Sequence, residues 1–194
     1  MSRPMLGRRR RNEPDDRQTD PITGLIAADA AAVAVAARVT DGSHRDHLVV
    51  VVRVADLDMI QQVYGSTQAA RVQMDVSRRL RTAVAWLVSG VEGADATISR
   101  VAPGEFAVTL HAASTIDADL VERTLTIYSG RVLRLDQDRI TVVYEVGAQR
   151  LDTAGGFDFA DATTIARLRA RRRDTRFDVV PTPANEPPEL VRSS

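Results

Sequence analysis

The run His47-Leu48-Val49-Val50-Val51-Val52-Arg53-Val54 constrains this chain more than any other stretch. A strand with one wet face alternates polar and apolar residues; a near-continuous β-branched run belongs to a strand covered on both faces. The rest of the chain must therefore supply elements to pack on each side of it. Its 194 residues suffice for one domain with a sizeable core and some length to spare. Only 4% of them are aromatic, so that core is built from Val, Leu, Ile and Ala.

Around this strand the pattern is mixed. Thr19 to Leu25 is turn-rich, and Ala27–Val39 reads as an Ala/Val helix broken by Gly42 and Ser43. A short helix over Asp56–Val63 ends at Tyr64-Gly65. A longer one over Thr67–Leu87 carries Val72, Val76, Leu80, Ala83 and Leu87 at helical spacing. Thr97–Val101 and Glu105–His111 form a hairpin through Ala102-Pro103-Gly104. A helix over Ile116–Tyr128 follows, with Ser114 and Asp117 resembling a capping box. Strands at Val132–Leu135 and Arg139–Val146, a helix at Asp161–Arg173 and a closing strand at Arg176–Val180 complete the series. Interleaving of this kind predicts an α+β sandwich, with a mostly antiparallel central sheet flanked by helices. Residues 1–18 and 181–194 are polar, charged and Pro-punctuated, the composition of disordered arms around a domain at 19–180.

Several function classes are excluded or disfavoured. Cysteine is absent, which removes disulfides, thiolate catalysis and Cys-based metal sites. All 26 basic residues are Arg, which points to a GC-rich bacterial genome. Net charge is zero, so nucleic acid is not an expected partner. Arg8–Arg11 is followed closely by Glu13, Asp15 and Asp16, and reads as a solvated arm before it reads as an anchor for nucleic acid or an anionic surface. No apolar run reaches membrane-span length and no apolar segment follows the arginines, so the expected location is cytoplasmic. His44, His47 and His111 are scattered and lack ligand spacing, which makes them loop or strand-end residues. Gly155-Gly156 has no phosphate-loop context. The arginines of the last helix (Arg167, Arg169, Arg171, Arg172, Arg173) read as an exposed face paired with acidic neighbours, ahead of a surface for an acidic partner.

Three landmarks stand in order: Asp20-x-x-Thr23-Gly24-Leu25, then Tyr64-Gly65, then Arg100-Val101-Ala102-Pro103-Gly104-Glu105-Phe106. Together they resemble the GGDEF domain, the catalytic module of diguanylate cyclases, over roughly residues 19–180. The resemblance implies a ferredoxin-like core akin to nucleotide cyclases and polymerase palms. It also implies that active members pair face to face and condense two GTP molecules to cyclic di-GMP.

Such chemistry needs two carboxylates on neighbouring strands to hold Mg²⁺ beside the reacting phosphate. The resemblance places the first at Arg53, eleven residues before Tyr64, and the second Asp of the same segment at Ala55. The other metal ligand, third residue of the signature turn, falls on Gly104. The phosphate-binding Lys becomes Asp58, and the guanine-reading Asn-Asp pair becomes Gln61-Gln62. The two turn glycines are Ala102 and Pro103, and Pro103 lacks an N–H. Glu105 and Phe106 alone match the signature, the product-inhibition motif is missing from Gly93-Ala94-Asp95-Ala96, and Ala170-Arg171 matches a phosphate-facing Ala-Lys.

Losing a Lewis-acid metal removes several kcal/mol of transition-state stabilisation, and each ~1.4 kcal/mol is a factor of ten in rate. The expectation is thus a GGDEF-like domain with a degenerate nucleotide cleft, no catalytic residue, no metal and no cofactor. Arg53 is expected to pair with Glu105 across adjacent strands; the alternative is that it clasps a nucleotide phosphate. The leading role is a regulatory or protein-interaction module in bacterial signalling, with a protein partner and a homodimer as an option. A non-turnover sensor of GTP or a related purine nucleotide, using Arg53, Gln61, Gln62 and Arg171, is the alternative. Attachment to nucleic acid or an anionic surface through the arginine arm stands third.

Overall fold

A computed structural model describes residues 19–40, 46–111, 116–129, 132–135, 138–151 and 158–172. The expected arms, Arg8–Arg11, His44, Ser114, Gly155-Gly156 and the strand at 176–180 lie outside the described residues. In chain order the elements are β1 (Ile26–Ala27), α1 (Ala28–Thr40), β2 (His47–Val54), α2 (Leu57–Ser89), β3 (Asp95–Ala102) and β4 (Glu105–His111). They continue with α3 (Ala118–Ser129), β5 (Val132–Leu135), β6 (Asp138–Thr141), β7 (Tyr144–Leu151) and α4 (Phe159–Arg172).

β2 occupies the bounds its sequence pattern marks and lies between β4 and β7, antiparallel to both. The sheet order is β1-β3-β4-β2-β7, with only β1 and β3 parallel. Within it, β2-α2-β3-β4-α3-β7 is a βαββαβ series whose strands lie in the order β3-β4-β2-β7, the ferredoxin-like arrangement. Leu48, Val50, Val52 and Val54 pack into a cluster with α2 and α3, including Val72, Val76, Leu80, Val121 and Leu125. Val49 packs on the opposite face with Ala31 and Val35 of α1 and Phe159 and Ala162 of α4. Val49 to Val52 are all 0% exposed, and each such side chain contributes ~1.5–3 kcal/mol relative to its exposed state.

Local chemistry sets the helix limits. Asp117 Oδ1 accepts the Asp119 N–H at 2.9 Å, so Asp117 itself caps α3. Asp158 does the same for α4 through the Asp161 N–H at 2.9 Å. The two helices expected on either side of Tyr64-Gly65 form one element, α2, interrupted where Gly65 leaves helical geometry.

Two features differ from expectation. The strand expected over Arg139–Val146 is divided: β6 pairs with β5 in a separate ribbon, while β7 joins the main sheet and runs to Leu151. The division falls at Val142-Val143, where the Val143 carbonyl accepts the Ala55 N–H at 3.0 Å and carries the chain from ribbon to sheet. β1, only two residues long, is too short to leave a periodic trace. No helix among the described residues is long and apolar enough to cross a membrane.

α4 lies unusually close to the sheet. A Cβ on Gly147 would meet the Ala166 carbonyl oxygen at 2.3 Å and the Ala170 nitrogen at 2.4 Å. Ala162, Ala166 and Ala170 are all 0% exposed, so the contact is backbone against backbone with no side chain able to yield. Gly147→Ala is expected to lower stability by about 3 kcal/mol, read from the urea midpoint. Gly90→Ala, whose Cβ would meet nothing within 4 Å, is the matched control and moves the midpoint little.

Candidate functional site

The opening turn is held from three directions. Asp20 Oδ1 accepts the Thr23 N–H and hydroxyl, both at 2.8 Å, and the Ile22 N–H at 3.2 Å. Its other oxygen pairs with Arg100 of β3 at 2.5 Å. From α2, Arg81 donates to the Gly24 carbonyl at 2.8 Å. Burial resists ionisation of Asp20, but the Thr23 hydrogen bonds and Arg100 outweigh it and hold the carboxyl below its ordinary value. The motif therefore docks the N-terminal segment onto α2 and β3.

Arg53 stands opposite Glu105 on β4 and Glu145 on β7. Its Nη1 donates to Glu145 Oε2 at 2.8 Å, and its Nε lies 3.6 Å from Glu105 Oε1. Arg167, reaching down from α4, donates to Glu105 Oε2 at 2.8 Å. The expected Arg53–Glu105 pair is present, but it is the looser contact of a four-membered network. Two guanidiniums and two carboxylates alternate across three strands and a helix, and the set is formally neutral. Glu105 is the most enclosed member, with a side chain only 9% exposed. A buried carboxylate needs such partners, because desolvation without pairing costs several kcal/mol.

The turn at Ala102 to Glu105 has its polar backbone groups engaged within the protein. Pro103-Gly104 fits the central positions of a type II turn, and Gly104 has φ +69°. A Cβ at Gly104 would sit 2.7 Å from Leu57 Cδ2. The Gly104 N–H donates to Gln73 Oε1 at 3.1 Å, and its carbonyl accepts the Val54 N–H at 2.8 Å. Pro103 has no N–H to offer. Neither of the two central turn residues thus keeps a backbone donor for a phosphate.

The remaining expected positions are dispersed. Ala55 follows β2 with its N–H engaged, and Ala102 ends β3. Asp58, Gln61 and Gln62 are exposed on the first part of α2, and Pro103 is exposed at its turn. Arg171 is exposed on α4, and Arg167, one turn earlier, is the arginine that enters the network. Arg169 donates to the Ala148 carbonyl at 2.8 Å. A surface recess of about 400 Å³ is lined by Arg71, Met74, Asp75 and Arg78, none of them an expected site residue.

Glu145 and Gln73 had no sequence signal, and Arg167 was marked only as one of several last-helix arginines expected to pair with acidic neighbours. Glu145 and Arg167 join Arg53 only through strand register and the seating of α4, and Gln73 is one polar residue within an apolar helical stripe. The histidines require correction. His47 and His111 do lie at strand ends, but they are wholly buried and adjacent, with Nδ1 atoms 2.9 Å apart. Their 64-residue separation conceals a contact that the β2–β4 register creates.

Magnesium does not fit the residues present. A guanidinium stands at Arg53, where the resemblance puts the first ligand, and Leu57 fills the space beside Gly104, where it puts the second. Glu105 and Glu145 are already neutralised by arginines. Gly104→Asp is expected to cost about 2–4 kcal/mol, from overpacking against Leu57 plus strain at positive φ, without creating Mg²⁺ affinity in a calorimetric titration. Because the folded Asp20 carboxyl lies below its unfolded value of about 3.9, its contribution is present above that pH and is lost as the medium is acidified further. Asp20→Asn should therefore flatten the stability profile below pH ~4.

No protein-family profile matches the sequence, and no curated protein sequence matches it. Solved structures do match. A sensory box/GGDEF family protein from Caulobacter crescentus aligns with TM-score 0.61 at 19% identity, covering 80% of this chain and 96% of that one. The FimX GGDEF domain from Pseudomonas aeruginosa aligns with TM-score 0.65 at 16% identity, covering 80% and 94%. Diguanylate cyclase SiaD from Pseudomonas aeruginosa, solved in complex with its activator SiaC, aligns with TM-score 0.64 at 17% identity; the match covers 79% of this chain and 58% of SiaD. Five sheet strands in this order, flanked by helices on both faces, give this chain the fold of a GGDEF domain.

Proposed function

We propose that this chain is a catalytically inactive GGDEF-like domain, acting as a regulatory or protein-interaction module in cyclic di-GMP signalling. The observation that carries the reading is the Arg53–Glu145 and Arg167–Glu105 network. It contains Arg53, where the resemblance calls for the first metal-binding acid, and Glu105, next to Gly104, where it calls for the second. Electrostatics supports the reading: a fixed cation repels Mg²⁺, and a carboxylate already paired with Arg gains less by binding a metal. Asp58, at the position of a phosphate-binding Lys, adds an exposed negative charge where a triphosphate would approach.

A protein partner has a precedent in SiaD, which was solved in complex with its activator SiaC. The sensor reading is weaker. It relies on Arg53 for a phosphate, and that guanidinium is engaged by Glu145 and Glu105.

The test has two arms. Full-length protein incubated with GTP and Mg²⁺ is expected to yield no cyclic di-GMP by chromatography; turnover would overturn the assignment. Calorimetry with GTP and with cyclic di-GMP is expected to give no binding at micromolar level. Micromolar binding of either without turnover would replace the interaction reading with the sensor.

A further inference from the structure

At the end of β2 remote from Arg53, a row of residues crosses the sheet. Asp95 on β3 stands opposite His111 on β4, His111 opposite His47 on β2, and His47 opposite Leu151 on β7. Both imidazoles are 0% exposed. Their Nδ1 atoms are 2.9 Å apart, with the rings edge to face at a centroid distance of 5.1 Å. Thr97 Oγ1 lies 3.2 Å from His111 Nε2. None of these groups takes part in the network at Arg53.

Charged groups flank the pair among the described residues. β3 contributes Asp95, which pairs with Arg38 of α1 at 2.5 Å. Asp46, next to His47 in the chain, is exposed. β7 contributes the apolar Leu151, part of a cluster with Ala31 and Val35 of α1 and Phe159 and Ala162 of α4. Burial works against ionised Asp95, but the Ala96 N–H, Arg38 and the nearby His111 hold its carboxyl below the ordinary value. Asp95 is therefore charged at neutral and mildly acidic pH.

A 2.9 Å contact between two Nδ1 atoms requires one N–H and one bare lone pair. The arrangement survives with both rings neutral, or with one proton added to the pair. It does not survive two added protons, because two imidazolium N–H groups would then face each other in a fully buried site. We propose that the His47–His111 pair is an acid-sensitive latch: a second proton parts the adjoining ends of β2 and β4 and loosens α1, which the Arg38–Asp95 pair ties to the same corner.

The direction of the pH effect follows from proton counting. In the unfolded chain both imidazoles take up protons near pH 6.5. The folded pair resists the second, so the unfolded state binds more protons in acid. Stability therefore falls, net, as pH drops from 7 to 5. Asp20 and Asp95 remain ionised throughout this window and contribute no slope.

Urea unfolding of the full chain at pH 7 and pH 5, in wild type and in His47→Asn, tests the latch. Asn places an amide near the Nδ1 position, so it keeps a hydrogen-bond partner for His111 but cannot take a proton. The wild-type unfolding constant should rise by about tenfold per pH unit for each extra proton bound on unfolding. His47→Asn should lose about tenfold of that rise across the interval. Equal rises in the two proteins would overturn the proposal. Nuclear magnetic resonance of the wild-type imidazoles gives a second readout should the variant fail to fold. Coupled titration of His47 and His111, with early loss of amide protection at 47–49 and 109–111, is expected. Independent titration with those amides intact would equally overturn it.

Discussion

The burial of β2 on both faces is the constraint on which the rest of the structure depends. Leu48, Val50 and Val52 turn toward α2 and α3, while Val49 turns toward α1 and α4. No water reaches the middle of the strand, so polar side chains are confined to its ends. There they appear as His47 and Arg53, about 20 Å apart at the usual rise per residue. Each end solves the burial problem differently. Arg53 finds formal charge compensation from two flanking strands, and His47 finds a second imidazole. Because β2 is central, its partners at both ends come from β4 and β7 by register, whatever their distance along the chain.

The contacts around Arg53, Gly104 and Glu105 are interlocked. Gly104 has no side chain, and Leu57 occupies the space one would need. Gln73 takes the Gly104 N–H, and Val54 binds its carbonyl. Glu105, which could have served a metal, is paired by Arg167 from a helix that sits tightly only because Gly147 and three alanines permit it. An acid at position 53 would leave Glu105 and Glu145 with one fewer cation and create a repulsive cluster of carboxylates. An acid at 104 would collide with Leu57. The contacts that engage these residues thus also help to hold the fold.

Periodicity and turn chemistry made much of the fold legible. β2, the stripe on α2 from Val72 to Leu87, and the Pro103-Gly104 hairpin all follow from local pattern. The position of Arg53 next to Glu105 came instead from the resemblance, which puts both residues on neighbouring strands. What was hidden depended on register and helix seating. Glu145 looks like any charged residue in an alternating strand, and nothing in the run from Arg167 to Arg173 marks Arg167 as the one that turns inward. The division between β6 and β7 was hidden because Ile140 to Val146 keeps strand-like composition through the break. The histidine pair was invisible for the same reason as Glu145: its logic is spatial and has no spacing.

The end strand shows how the helices finish what the sheet begins. β7 is the last strand of the described sheet, and such edges invite pairing with another chain. At Ala148, however, side chains engage both backbone polar groups. Glu122 of α3 accepts the N–H at 2.8 Å, and Arg169 of α4 donates to the carbonyl at 2.8 Å. These two side chains approach from helices on opposite faces of the sheet and carry opposite charges. A strand adding at this point would have to displace both, leaving Glu122, which is 6% exposed, without its N–H donor. Strand addition at Ala148 is therefore disfavoured, and the helical faces are the more open surfaces. There, side chains such as Met59, Val63 and Ile127 are exposed and no backbone hydrogen bond must first be broken.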